Sequence, residues 1–121
     1  MRIVIPAEDK NMDSGVCPSF GRTPYFLVYN TDEEKAEFIE NPASKATGGA
    51  GVLAAQEVVD LNPEILLTPR CGENAGKVLK GADIKIYKSI NKTLKENIEE
   101  FKKEGLSELE SFHKGFHGGH N

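Results

Sequence analysis

The stretch Ile65-Leu66-Leu67-Thr68-Pro69-Arg70-Cys71-Gly72-Glu73-Asn74-Ala75-Gly76-Lys77 decides the fold. A short apolar run of this kind, bounded by turn residues, reads as a buried strand. Residues 74–80 follow as a short helix, with Ala75, Val78 and Leu79 inward and Gly81 closing it. Ile84-Lys85-Ile86-Tyr87 is then a second strand. A strand, a helix and a strand in this order imply parallel pairing through a right-handed crossover.

Working back from this unit, residues 50–61 carry Val52, Leu53, Ala55, Gln56 and Val59 in the pattern of a helix with one buried face. Asn62-Pro63 stops it, because proline cannot continue a helix. Residues 2–6 are a continuous apolar run, hence another buried strand. Residues 24–30 are rich in aromatic and branched side chains, and 35–40 return as an antiparallel edge strand after the turn at residues 31–34. Residues 7–23 form a long loop, of the sort that is often functional. Thr93-Leu94-Lys95-Glu96 is a capping box, and the helix that it opens carries Leu94, Ile98 and Phe101 on one face until Gly105 ends it.

The order is β-β-β-α-β-α-β-α. The simplest result is an α/β, ribonuclease-H-like three-layer fold, with a five-stranded mixed sheet flanked by helices. Residues 1–105 are expected to be the domain and 106–121 a flexible tail containing glycine and histidine. In open sheets of this kind, ligands lie beyond the carboxyl ends of the parallel strands.

Composition narrows the function. The net charge is −4, with 28% charged residues of both signs. A general nucleic-acid binder would need a basic face to displace counterions, so no nucleic acid is expected as a partner. No apolar segment approaches the length of a membrane span, and the run at the N-terminus is too short for a signal peptide. A cytoplasmic protein with no membrane partner is expected, and Cys17 and Cys71 are then reduced thiols. Neither belongs to a Cys-x-x-Cys pair, which excludes a zinc ribbon or a thioredoxin-type motif.

Three stretches could carry chemistry. Cys71 stands where a helix begins, and unpaired amides there, with Arg70 and Lys77 nearby in sequence, favour a thiolate. A thiolate would bind a soft metal or attack an electrophile; the plain alternative is a small buried residue. Gly72-x-x-x-Gly76-Lys77-Val78 is one residue short of a phosphate-binding P-loop and lacks its hydroxyl. Cys71 to Lys77 has the spacing of thiol phosphatases, but lysine cannot grip phosphate as their arginine does. Gly48-Gly49-Ala50-Gly51 at a helix start lets an anionic ligand approach free amides, or is only a flexible loop. Cys17-Pro18-Ser19-Phe20-Gly21-Arg22 offers a second soft ligand in Cys17 and an anion partner in Arg22. His113, His117 and His120 are weaker metal candidates on the tail.

Taken together, these stretches resemble the dinitrogenase iron–molybdenum cofactor-binding family of nitrogenase accessory domains. The resemblance rests on Phe20-Gly21-Arg22-Thr23-Pro24-Tyr25-Phe26, Glu40-Asn41-Pro42, Gly48-Gly49-Ala50-Gly51 with Ala55-Gln56, and Cys71-Gly72-Glu73-Asn74-Ala75. Lys85-Ile86-Tyr87 and the stretch from Thr93 to Glu96 continue it. It implies the ribonuclease-H-like fold and the transient carriage of an iron–sulfur or iron–molybdenum-type cluster. Proteins that donate or accept the cluster would be the partners, and the chain a monomer or weak dimer. Relatives commonly have histidine before Phe-Gly-Arg; here Ser19 stands in that place.

On this reading Cys71 and Cys17 would be direct ligands. Arg22, Gly48, Gly49, Gly51, Gly72 and Asn74 would hold the anionic cluster through cation and amide contacts. Two thiolates cannot close a four-cysteine site, so a cluster would be exchangeable, completed by other ligands, or shared across a dimer. The alternatives are a thiol-dependent enzyme using Cys71 and a metal-free regulatory or interaction domain. A ribonuclease-H-type nuclease is discounted, since the first strand carries none of the acidic residues that two metal ions require.

Overall fold

The computed structural model describes residues 1–113 of the chain. Five strands, β1 (Arg2–Ala7), β2 (Tyr25–Asn30), β3 (Lys35–Glu40), β4 (Ile65–Thr68) and β5 (Lys85–Lys88), form one sheet in the order β3-β2-β1-β4-β5. Three helices accompany them: α1 (Ala50–Leu61), α2 (Glu73–Gly81) and α3 (Leu94–Lys102). The first three strands are a local antiparallel meander, with Val4 opposite Val28 and Val28 opposite Glu37. On the other side β1 pairs with β4, and β4 with β5, in parallel, with Val4 beside Leu66 and Leu66 beside Ile86.

The apolar runs divide by parity, because successive side chains of a strand point to opposite faces. Val4, Phe26, Val28, Leu66 and Ile86 face a core that contains Ala54, Ala55 and Val58 of α1 with Ala75 and Leu79 of α2. Ile3, Ile5, Leu27, Ile65 and Leu67 face the opposite core, closed by Leu94 and Ile98 of α3. The continuous run in β4 is needed because both of its faces are covered. The result is the expected three-layer, ribonuclease-H-like α/β arrangement.

The long loop after β1 is tied down. It returns along β1 through Glu8 N–H to the Gly15 carbonyl (3.2 Å) and Cys17 N–H to the Pro6 carbonyl (2.9 Å). Its Ser14 and Met12 carbonyls accept from the amides of Leu94 and Lys95, so the start of α3 is already satisfied (2.9 and 3.0 Å). The capping box is present, with Glu96 N–H donating to Thr93 Oγ1 and Thr93 N–H to Glu96 Oε1, each at 3.1 Å.

Two helix ends differ from expectation. Gly81 is the last residue of α2, and the left-handed turn beyond it falls on Asp83 (φ 63°). Likewise α3 stops at Lys102 and the left-handed residue is Glu104 (φ 61°). At Gly105 an added Cβ would meet only the carboxylate end of the Glu100 side chain, which can swing away.

The larger correction concerns residues 106–113, which the sequence assigns to a flexible tail. Leu106 and Leu109 are buried. Lys88 N–H donates to the Ser107 carbonyl (2.8 Å) and Leu109 N–H to the Ile86 carbonyl (2.9 Å), so this segment lies along the outer edge of β5. Leu106, Leu109 and Phe112 supply the apolar anchors, which the glycine- and histidine-rich stretch beyond them masked in the sequence. The remainder of the expected tail, including His117 and His120, lies outside the described residues.

Truncating Leu66 to alanine, fully buried on the inner strand β4, should cost about 3 kcal/mol, whereas Leu53→Ala, on a half-exposed position of α1, should change stability by less than about 0.5 kcal/mol. Urea denaturation of both variants checks this.

Candidate anion-binding site

One close backbone approach joins the loop before β2 to the start of α1. A Cβ on Gly21 would lie 2.8 Å from the Gly51 nitrogen and 3.0 Å from the Ala50 carbonyl carbon, so the loop before β2 rests directly on the first turn of α1. Buried Asn41 holds that loop in place. Its Nδ2 donates to the carbonyls of Gly21 (3.1 Å) and Thr23 (3.0 Å), while its Oδ1 accepts from Ala43 N–H (3.1 Å) in the 3-10 turn Pro42–Lys45. Arg22 spans the same junction, its Nη1 donating to the carbonyls of Ser44 (3.2 Å) and Ala46.

These contacts leave a cavity of about 680 Å³. The loop before β2, the start of α1 and the start of α2 wall it. Every residue the sequence proposes for an anionic ligand lines it: Arg22, Gly48, Gly49, Gly51, Gly72 and Asn74. Ser19, Thr47, Arg70 and His113 also line it. No carboxylate is among the lining residues described.

Both helix starts are suited to negative charge. α1 is capped by Gly49 in the left-handed region (φ 68°), and α2 by Gly72, neither with a side-chain hydrogen bond. Uncapped helix N-termini present free amides and the positive end of the helix dipole. One α2 amide is already used, since Glu73 N–H donates to the His113 carbonyl at 2.8 Å.

The cysteines stand differently from expectation. Neither lines the cavity. Cys71 is 1% exposed and belongs to the core beneath α1 and α2. Burial pushes its thiol up to about 11 from an ordinary value of 9.0, while the Lys80 charge pulls weakly the other way. Desolvation therefore outweighs the helix start, opposite to the thiolate-favouring setting expected from sequence. Cys17 is half-buried on the loop next to the cavity-lining Pro18, with its Sγ 3.6 Å from the Ser19 carbonyl oxygen. Among the described residues no group of three or more histidine, cysteine, aspartate or glutamate side chains could enclose a metal ion.

Sequence reading missed Gly21 and Thr47 as site residues and had no role for Asn41. Only the Gly21–Gly51 contact shows why the two glycine motifs, far apart in the chain, belong together. A second cavity of about 630 Å³ borders Glu8, Lys88 and Lys92 and contains none of the expected residues.

With this geometry in view, comparison is informative. The profile of the family described as dinitrogenase iron-molybdenum cofactor matches residues 1–104. The chain belongs to that family. It is similar in structure to the apo form of the orange protein of Desulfovibrio gigas, with a TM-score of 0.85 and 30% identity over 89% of this chain and 92% of that one. A NifB-like protein from Thermotoga superposes with a TM-score of 0.80 and 34% identity, covering 93% of this chain and 97% of the other. A dinitrogenase-like protein of Methanocaldococcus jannaschii shares the fold at 19% identity, with a TM-score of 0.66 and coverage of 90% and 94%. No match was found among functionally curated proteins.

Gly21→Ala should destabilise the fold by about 1–3 kcal/mol, because helix backbone must move to admit the methyl group. Gly48→Ala, with open space around its Cβ, should be close to neutral in the same urea titration. In thiol labelling at pH 8, Cys17 should react in the native protein and Cys71 only after unfolding. Because the folded-state pKa of Cys71 is raised, its contribution is fully present below pH 9 and should be lost as the pH rises through about 11. That loss amounts to about 2–3 kcal/mol, read as a falling unfolding midpoint in wild type but not in Cys71→Ala.

Proposed function

We propose that this chain binds and transiently carries an anionic iron–sulfur-type or iron–molybdenum-type metallocluster during cofactor assembly. The observation that carries the reading is the cleft itself. Arg22, Arg70 and two uncapped helix starts converge on one cavity whose described lining includes no carboxylate. Membership of a family described by the iron-molybdenum cofactor supplies the kind of anion.

The cluster is cargo in this scheme. Sulfide-rich clusters carry delocalised negative charge, and arginine N–H groups and backbone amides complement it without displacing its own ligands. Arg22 already has its Nη1 fixed on two carbonyls, so the guanidinium is positioned before a ligand arrives. Holding by charge and hydrogen bonds leaves the cluster exchangeable, as transfer from a donor protein and on to an acceptor protein requires. The buried, protonated thiol of Cys71 supports a carrier over a thiol enzyme, since the thiolate is the nucleophilic form. Cys17, beside Pro18, is the better placed of the two thiols if a direct sulfur–metal bond forms. Such a carrier would work in the cytoplasm as a monomer or weak dimer. No helix among the described residues is long and apolar enough to cross a membrane.

The test is anaerobic reconstitution with iron and sulfide, and separately titration with tetrathiomolybdate as the simplest molybdenum–sulfide anion, both followed by absorption spectroscopy. Wild type should bind at least one of the two, more weakly as salt rises. Arg22→Ala should weaken binding by about tenfold or more, equivalent to about 1.4 kcal/mol. Cys71→Ser should bind as wild type does. Loss of the chromophore in Cys71→Ser with no effect in Arg22→Ala would replace the electrostatic reading with direct thiolate ligation. Absence of binding in wild type would remove the carrier reading altogether.

A further inference from the structure

Gly76 lies inside α2, where glycine costs up to about 1 kcal/mol relative to alanine. Its backbone does not require glycine, since it has an ordinary helical place and no positive φ. The reason is the ring of Phe112: a Cβ on Gly76 would lie 2.8 Å from its Cδ2 and 2.9 Å from its Cε2. The Lys80 ammonium covers the same ring at 4.2 Å from the centroid, within cation–π range. Phe112 is thus clamped between a bare stretch of helix and a lysine of the next turn.

The residue after this clamp enters the cleft. His113 N–H donates to the Cys71 carbonyl (3.2 Å), and the His113 carbonyl accepts from Glu73 N–H (2.8 Å). Its ring lies against Gly72, where an added Cβ would sit 3.4 Å from His113 Cε1. His113 therefore lines the cavity together with Arg22, Arg70 and the glycine backbone. Together with the pairing to β5, these contacts make residues 106–113 a strap. It is fastened at one end to the sheet edge and at the other to the loop that bears Arg70, Cys71 and Gly72.

We propose that this strap is a working part of the anion site: docking of Phe112 on Gly76 positions His113 in the cleft wall, and strap docking and ligand binding stabilise one another. The inference rests on the reading of the cleft as an anion site. It adds a binding residue, His113, and positioning residues, Phe112, Gly76 and Lys80, that act through it. Linkage requires reciprocity: if the docked strap raises affinity, the bound ligand must hold the strap down by the same free energy. The strap can open alone because most of its contacts are local to one sheet edge and one helix.

The experiment uses the full chain with tetrathiomolybdate under anaerobic conditions. Gly76→Ala favours helix α2 but evicts Phe112, while His113→Ala removes an exposed side chain and leaves the fold unstrained. Both should bind about tenfold more weakly than wild type. Amide hydrogen exchange provides the second readout. In Gly76→Ala the amides of Leu109, His113 and Glu73 should exchange faster while those of β4 do not. In wild type the ligand should slow the same three amides. If wild type binds and both variants bind equally well, the inference falls while the cleft reading stands. If ligand leaves exchange at Leu109, His113 and Glu73 unchanged, the coupling is overturned even if His113→Ala binds weakly. If wild type does not bind tetrathiomolybdate or an iron–sulfur cluster, the cleft reading fails first and the inference fails with it.

Discussion

Everything in this molecule follows from the burial of β1 and β4 on both faces. Ile3 and Ile5 go to one core and Val4 to the other; Ile65 and Leu67 are divided from Leu66 in the same way. A strand covered twice has no room for polar side chains along its length, because an unpaired polar group in such a core is costly. Chemistry is therefore displaced to the strand ends, where loops meet water. At the end of β4 the chain turns through Pro69, Arg70 and Gly72 into α2, and α1 begins alongside it.

The cleft that results draws its positive character from two arginines and from the backbone of two helix starts. The chain as a whole is acidic, at −4, yet the described lining of the cavity has two arginines and no carboxylate. Net charge describes solubility and long-range steering, whereas local binding depends on what converges at a few ångströms. The Gly21–Gly51 contact matters most in building it. Two glycines allow backbone to lie on backbone, which brings Arg22 to the start of α1.

The fold was legible because its signals were local: apolar runs, a capping box, Asn62-Pro63 after a helix, and glycine-rich turns. Which residues line the cleft was legible in part: Arg22, Gly48, Gly49, Gly51, Gly72 and Asn74 line it, whereas Cys17 and Cys71 do not. Three things were not. Cys71 follows a strand and precedes a helix, the arrangement that lowers a thiol pKa; only the packing above it shows that burial wins. Asn41 reads as a residue before proline, and nothing local reveals the carbonyls of Gly21 and Thr23 that it reaches from about 20 positions away. Residues 106–113 look like the start of a polar tail because their three apolar anchors are spaced out among serines and glutamates. Their partners are Gly76 and the edge of β5, which no window of sequence contains.

The placing of residues 107–109 along β5 has a consequence for how copies of this chain meet. A five-stranded open sheet has two edges with unsatisfied N–H and C=O groups, each a template for a foreign strand. Here the chain occupies part of one of them itself, with Glu108 bridged to Tyr87. The other edge is β3, where Lys35 and Glu37 are exposed and charged. One border is partly covered by the chain's own backbone and the other carries charged, hydrated side chains, so both are poor templates for a stranger's strand. The small α/β sheet thus carries on its own borders the features that discourage edge-to-edge self-assembly.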